Sequence, residues 1–195
     1  MEASFKLQLQ FLDLALATSE EEYRNPLLTH IKLIFADDKP NKNKEGISQE
    51  EFPNLIRSMT LMPIKANYSS EEGLAGHDGA VQIGVIKAGQ QEGNKIVAIG
   101  ALYNDEYPEV INFFKKEAAE GRSIEFSWEL RYKDAEEIDG VSWLRNTSTK
   151  AITAVKHPAY DGRTPLLSLS NIRATEFLEA IDKELKRRAT EPVGV

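Results

Sequence analysis

Hydrophobic and polar residues alternate in several short stretches of the chain, which is the period of a strand with one buried face. These stretches are residues 5–11, 31–35 and 123–132, and further strand-like runs lie at 80–86, 95–102, 141–145 and 150–155. The alternation is most regular in 123–132, where Phe126 and Trp128 point to one side and Ser127 and Glu129 to the other. The pattern therefore predicts a sheet-rich domain in which Ser127 lies on the polar face of a strand.

Three segments repeat their hydrophobic residues with the period of a helix. They are residues 48–59, 105–120 and 171–188. Ser48 and Glu51 have the spacing of a capping box at the start of the first segment, and Gly121 follows the second as its natural stop. The third segment carries Phe177 and Ile181 on one stripe, so we expect it to dock on the rest of the domain or on a second copy.

The composition bounds the class of protein. A chain of 195 residues with 41% hydrophobic residues is long enough for one domain with a real core. Its formal net charge of -7 argues against nucleic acid as the main ligand, because nucleic-acid-binding domains concentrate lysine and arginine on one face. The chain has no cysteine and no run approaching the roughly 20 apolar residues of a membrane span. We therefore expect a soluble, intracellular protein that binds neither nucleic acid nor a membrane.

No pattern in the chain supports a metal or cofactor site. Residues 41–46 begin like a calcium loop, but Phe52 stands where the bidentate glutamate belongs, so a plain turn is the better interpretation. The histidines at His30, His77 and His157 include no pair at the helical spacing of metal ligands. The sequence also has no phosphate-binding loop, dinucleotide-binding turn or nucleophile elbow. We expect neither a metal nor a cofactor.

One serine and one histidine remain as candidates for chemistry. Ser127 is polar on an otherwise well-buried strand, and His77 lies in the glycine-rich loop 73–79, where the backbone can bring an imidazole close to a neighbouring strand. As nucleophile and general base they would make a serine hydrolase. On the residues alone, a small solvated serine and a surface histidine are the commoner interpretation.

The order of these pieces resembles that of the phage prohead maturation proteases, relatives of the herpesvirus assemblin proteases. In that family a histidine loop precedes a hairpin strand with an Ile-Gly step, a helix leads to a strand with a serine among aromatic residues, and a later strand ends in a Pro-Ala step. The matching motifs here are Gly76-His77-Asp78, Ile83-Gly84, Phe126-Ser127-Trp128 and His157-Pro158-Ala159. The resemblance covers residues 28–169.

The resemblance implies an α+β fold, a closed and mostly antiparallel β-barrel flanked by helices. We divide the chain into a barrel domain, residues 1–170, and a C-terminal amphipathic helix and tail, residues 171–195, the latter on its hydrophobic stripe. The implied activity is that of a serine endopeptidase without metal or cofactor, which processes proteins during viral head maturation. Its implied partners are the phage major capsid protein and the scaffold, and self-association is expected. The implied location is the host cytoplasm, inside the assembling prohead.

The sequence departs from the family at the third catalytic position. Prohead proteases commonly have an acidic residue near the start of the last strand, and assemblins a second histidine, whereas this chain has Ala151. His157 lies further along the same strand with the parity of Ala151, provided that the strand stays extended up to Pro158. We therefore predict a catalytic set of His77, Ser127 and His157. The alternative for His157 is an exposed residue at the strand end.

Glu129 and Arg163 are the predicted substrate-binding residues. Glu129 shares the face of Ser127 but lies two residues along the strand, so we expect it to act on His77 at most through water; otherwise it is a solvated partner of Arg131. Arg163 resembles the basic residue that assemblins place beside the oxyanion. Its alternative is a surface loop arginine.

Two other functions compete with the protease. The first is a catalytically inactive head-assembly scaffold or capsid-associated protein with the same fold, which Ala151 favours and the matching order of His77 and Ser127 opposes. The second is a β-rich binding domain unrelated to phage, which a large separation of His77 from Ser127 would support.

Overall fold

The computed structural model of the protein describes residues 27–170. The predicted strand at 5–11 and the predicted helix at 171–188, with the docking expected of it, lie outside the described residues. Leu27–Leu169 forms one unit of the fold. No helix within 27–170 is both long and apolar enough to span a bilayer.

The described residues are mostly strand, with two short helices. The helices are α1 (Phe52–Ser58), which follows a 3-10 turn at Gln49–Glu51, and α2 (Pro108–Ala119). The strands are β1 (Leu28–Asp37), β2 (Glu45–Gly46), β3 (Pro63–Ala66), β4 (Tyr68–Ser69), β5 (Gly73–Leu74), β6 (Val81–Glu92), β7 (Lys95–Tyr103), β8 (Glu125–Arg131), β9 (Asp134–Ile138), β10 (Val141–Arg145), β11 (Ser148–Val155) and β12 (Leu166–Ser170). The predicted strands within 27–170 and the predicted helix at 105–120 are thus confirmed, with shifted ends.

Seven strands form the main sheet in the order β12-β1-β7-β6-β3-β11-β8. The β1–β7, β6–β7, β3–β6 and β8–β11 pairs are antiparallel, and the β3–β11 pair is parallel. Each of these antiparallel pairs contains a register shift, and such bulges increase the local twist and bend the strand. The sheet consequently curls.

The predicted closed barrel flanked by helices, and with it the α+β class, is wrong. The sheet is a curled, open half-barrel. Its edge strands β12 and β8 form no continuous ladder. They approach each other at one isolated bridge between Glu125 and Pro165, where the NH of Phe126 donates to the carbonyl of Thr164 at 3.0 Å and the NH of Leu166 to that of Ile124 at 2.8 Å. The strands after β8 do not close the gap, because β9 and β10 pair with each other and with β2 in a separate three-stranded sheet.

The capping box predicted at α1 is also wrong. The side chain of Ser48 makes no cap hydrogen bond, and its Oγ instead accepts from Arg145 at 2.8 Å. The carboxylate of Glu51 accepts hydrogen bonds from the backbone NH groups of Asn146 and Thr147. These long-range partners lie in the turn between β10 and β11, so the acidic residue anchors that turn to the start of α1.

The core lies against one face of β8 and β11 and includes Phe126 and Ile152, both fully buried. Phe114 of α2 packs edge-on against Phe126, with ring centroids 6.4 Å apart. The opposite face of β11 is also covered, because Ala151 and Thr153 are fully buried there. The polar face of this part of the sheet is therefore a sheltered surface rather than an open one.

Candidate active site

His77 lies in the loop between β5 and β6, and this loop is tied to its surroundings by backbone hydrogen bonds. Ala75 donates its NH to the carbonyl of Asn67 at 2.8 Å and accepts from the NH of Lys156 at 3.1 Å. The Asn67 side chain donates to the carbonyl of Asp78 at 2.5 Å. Because Lys156 directly follows β11, these contacts bring the imidazole to the edge of the β8–β11 pair.

At this edge, Glu129 of β8 is the centre of a polar cluster, the glutamate cluster, whose other members are His77, Lys65, Thr153 and Lys150. Its Oε1 lies 3.3 Å from His77 Nδ1, 3.2 Å from Lys65 Nζ and 3.0 Å from Thr153 Oγ1. Its Oε2 lies 3.3 Å from the same Lys65 Nζ and 3.2 Å from Lys150 Nζ. The side chain of Glu129 is only 18% exposed, whereas that of His77 is 41% exposed. A sheltered carboxylate thus holds an accessible imidazole.

The pKa of Glu129 shows that the cluster favours the ionised carboxylate. Burial alone would raise the pKa, but hydrogen bonds from Thr153, Lys65, Lys150 and His77 outweigh burial and lower it to about 2. Glu129 is therefore a hydrogen-bond acceptor with a full negative charge at neutral pH.

Ser127 lies beside this cluster on the same face of β8. It is two positions before Glu129 in the strand, and its partner across the β8–β11 pair is Thr153, the residue that donates to Glu129. Ser127 is half-buried. No hydrogen bond joins Ser127 to His77 among residues 27–170, so the imidazole is bound to the neighbour of the serine rather than to the serine itself.

His157 is not placed near the ring of His77 by an extended strand. β11 ends at Val155, two residues before His157, whose side chain is exposed. It makes no hydrogen bond to His77 in the described part of the chain. The condition on which the sequence argument rested, a strand extended up to Pro158, is not met.

Arg163 is held by structural partners. Its Nη1 pairs with the buried carboxylate of Asp37, its Nη2 donates to the carbonyl of Pro40 at 2.7 Å, and its guanidinium lies 4.7 Å from the ring centroid of Tyr160. The Tyr160 ring in turn packs against Trp128, whose side chain points away from the face of β8 that carries Ser127. These contacts anchor the loop after β11 on the other side of the sheet from the glutamate cluster.

The expectation that Glu129 reaches His77 at most through water is wrong, because the two side chains are in direct contact. Spacing along β8 gives the position of Glu129 relative to Ser127 but not the position of the histidine loop. Lys65, Lys150 and Thr153 were missed altogether. Nothing in their local sequence marks them, since they reach Glu129 only through the pairing of β3 and β8 with β11.

Two other features bear on ligands. The described residues include no group of three or more acidic or histidine side chains placed to hold a metal ion. A cleft of about 450 Å³ is lined by Asn54, Arg57, Ser58, Lys133, Asn146 and Thr147. None of the predicted site residues lines this cleft, so it is separate from the glutamate cluster.

Glu129→Gln should lower the free energy of unfolding by about 1–2 kcal/mol at pH 7, because it removes the charge that pairs with two lysines. Since the folded-state pKa of Glu129, about 2, lies below the ordinary value of 4.5, the carboxylate stabilises the fold above pH 4.5 and loses that effect as the pH falls towards 2. Urea unfolding of both proteins should therefore show a difference that shrinks between about pH 5 and pH 2. A difference independent of pH would contradict the assigned role.

The described geometry combines an oriented imidazole, an ionised carboxylate and a neighbouring serine on one sheltered face. Such a set can take up and return a proton beside a nucleophilic oxygen. Comparison with known proteins points to no family: no protein-family model, no curated protein and no solved structure matches the chain.

Proposed function

We propose that the protein is a serine endopeptidase that processes capsid and scaffold proteins during viral head maturation. Ser127 is the nucleophile and His77 the general base. The observation that carries the proposal is the contact of His77 Nδ1 with Glu129 at 3.3 Å, because Glu129 is the next residue along β8 on the face of Ser127. His77 and Ser127 are 50 positions apart in the sequence. The contact nevertheless brings the histidine loop to the face of β8 that carries Ser127.

In the proposed reaction, Ser127 Oγ attacks the carbonyl carbon of a peptide bond while its proton passes to His77 Nε2. The tetrahedral intermediate collapses, the carbon–nitrogen bond breaks, and His77 gives the proton to the leaving amine. Water then repeats the sequence: His77 takes a proton from water, the hydroxide attacks the acyl carbon, and Ser127 leaves with that proton. Protons and electrons balance without a metal or a redox partner.

The proposed partners are the major capsid protein and the scaffold, inside the assembling prohead in the host cytoplasm. The motifs around His77, Ser127 and Pro158, which resemble those of prohead proteases, support this assignment. His77 and Ser127 are not hydrogen-bonded to each other, so the reaction requires a side-chain rearrangement that brings Ser127 Oγ to His77 Nε2 while Glu129 keeps Nδ1. A slow enzyme suits this setting, because confinement with its substrate raises the effective concentration.

A second candidate is an inactive head-assembly scaffold or capsid-associated protein. The absence of a Ser127–His77 hydrogen bond among residues 27–170 favours it, as does Ala151 in place of an acidic residue. In that case the glutamate cluster would serve to fasten the histidine loop to the sheet, and self-association or docking on the capsid would be the whole function.

An alkyl fluorophosphonate distinguishes the two candidates, because it reacts covalently with a serine that a base activates. We expect the purified full chain to be labelled at Ser127, as located by mass spectrometry of the peptides. Ser127→Ala and His77→Ala should lose the label. Ser148→Ala is the matched control, since Ser148 is a strand serine in β11 outside the cluster, and it should be labelled as the wild type is. Absence of labelling in the wild type would rule out the protease.

A further inference from the structure

Glu129 and Ala151 are partners across the antiparallel β8–β11 pair. Partners in an antiparallel pair project to the same face of the sheet with their Cβ atoms about 4.5–5.5 Å apart. A carboxylate on either residue would therefore enter the same small region above the sheet. In this chain position 151 is a fully buried alanine, and the carboxylate comes from position 129.

We infer that Glu129 is the positioning residue of the active site, which orients His77 for its reaction with Ser127 from the nucleophile's own strand. The inference rests on the proposed function. It goes beyond that function because it assigns the third member of the site to a residue that precedes Ala151 in the chain and lies across the strand pair from it.

The contact determines which nitrogen of His77 is free. A carboxylate can only accept a hydrogen bond, so the 3.3 Å contact with Glu129 is a hydrogen bond only when Nδ1 carries the proton. Nε2 is then unprotonated and has the lone pair that a general base needs. The ordinary preference of a free imidazole for the Nε2–H form is thereby reversed.

The two lysines make Glu129 a fixed rather than a mobile acceptor. Lys65, which lies in β3 on the far side of β11, contacts both carboxylate oxygens. Lys150, which lies in β11 itself, contacts Oε2. Lys150 is the residue at the bulge of β11, where the register shifts between Thr149 and Ala151. The bulge inserts Lys150 as an extra residue opposite β8. Glu129 therefore has both a cation, Lys150, and a small cross-strand partner, Ala151, beside it.

The other predicted orienter has no such contact. His157 lies beyond the end of β11 with an exposed side chain, and within 27–170 it makes no hydrogen bond to His77. Thr153 binds the same Oε1 of Glu129 at 3.0 Å, so it steadies the carboxylate rather than the ring. Of the side chains described, Glu129 is the one that holds Nδ1.

The rate of fluorophosphonate labelling at Ser127 measures the proposed role. We expect Glu129→Ala to slow labelling by about tenfold or more, the order of a lost orienting group. Glu129→Gln keeps the shape of the side chain and removes only its charge, so it should also be slower than the wild type, and urea unfolding shows whether each variant is folded under the labelling conditions. The matched control is Glu125→Gln, because Glu125 is two residues from Ser127 on the other side, on the same face, and bonds to Ser123 instead of His77. Its rate should be unchanged.

The cross-strand pairing offers a rescue. Adding Ala151→Glu to Glu129→Ala returns a carboxylate to the same region from the partner strand, into the space that the truncated side chain vacates. We expect this double variant to regain labelling above the level of Glu129→Ala. A purely structural part for Glu129 gives no reason for such recovery.

Nitrogen NMR of the ring supplies a readout that is independent of activity. The chain has 3 histidines, and His77→Ala identifies the signals of His77. In the wild type with a neutral ring, Nδ1 should be protonated and Nε2 free; in Glu129→Ala the ring should move towards the Nε2–H form. Labelling that is as fast in Glu129→Ala as in the wild type, or a tautomer that does not change, would overturn the positioning role alone. A wild type that is not labelled would overturn the proposed function and the positioning role with it.

Discussion

Under the proposed function, Ser127→Ala is expected to abolish cleavage of capsid and scaffold precursors, with a loss of about 10⁴-fold or more in rate. Removal of the nucleophile eliminates the acyl-enzyme route, and what remains is binding without covalent chemistry. Ser127 is half-buried and contributes no aromatic or aliphatic packing, so the fold should be kept. Co-expression with the precursors followed by gel analysis of their sizes measures the effect.

The matched control for this experiment is Ser148→Ala, the β11 serine outside the glutamate cluster. It should process the precursors at the rate of the wild type. Equal processing by wild type and Ser127→Ala would remove Ser127 from the mechanism, even if the protein takes part in head assembly. Thermal unfolding of each variant confirms that a loss of cleavage is not a loss of fold.

Gly84→Ala should be the most damaging of the glycine substitutions near the site, with a loss of about 2–4 kcal/mol in the free energy of unfolding. Gly84 pairs with Ile64 and with Leu102 in the middle of the sheet. A Cβ at this position would lie 2.2 Å from the carbonyl oxygen of Ala101 and 2.9 Å from the Cα of Leu102. Both are backbone atoms of the neighbouring strand, so the clash is relieved only by moving β6 away from β7.

Gly76→Ala is the control for that prediction, because a Cβ at Gly76 meets no atom within 4 Å. Its φ is not in the left-handed region, so the substitution should leave the melting temperature unchanged or slightly higher. The melting temperature of Gly84→Ala should fall by roughly 5–15 °C. A fall of the same size in both variants would show that the effect comes from the loss of glycine as such and not from the close approach of β6 and β7.

Within residues 27–170 the sequence by itself determined the longer helix and six strands, which are β1, β6, β7, β8, β10 and β11. Alternation of apolar and polar residues is a local property, and it located β8 with Phe126 on the buried face and Ser127 and Glu129 on the other. The candidate pair, His77 and Ser127, also came from local motifs.

The tertiary structure alone decided whether the sheet closes and which side chain meets His77. Closure depends on whether β8 and β12, far apart in sequence, pair at their edges, and no local pattern encodes that pairing. The glutamate cluster depends in the same way on the parallel β3–β11 pair and on the bulge at Lys150. These two features bring Lys65 and Lys150, which are 64 and 21 positions from Glu129 in the sequence, to its carboxylate. Spacing along β8 determined that Glu129 and Ser127 lie on the same face of the strand. It could not determine the distance from Glu129 to His77, because the position of a loop relative to a sheet is fixed by long-range hydrogen bonds such as that between Lys156 and Ala75.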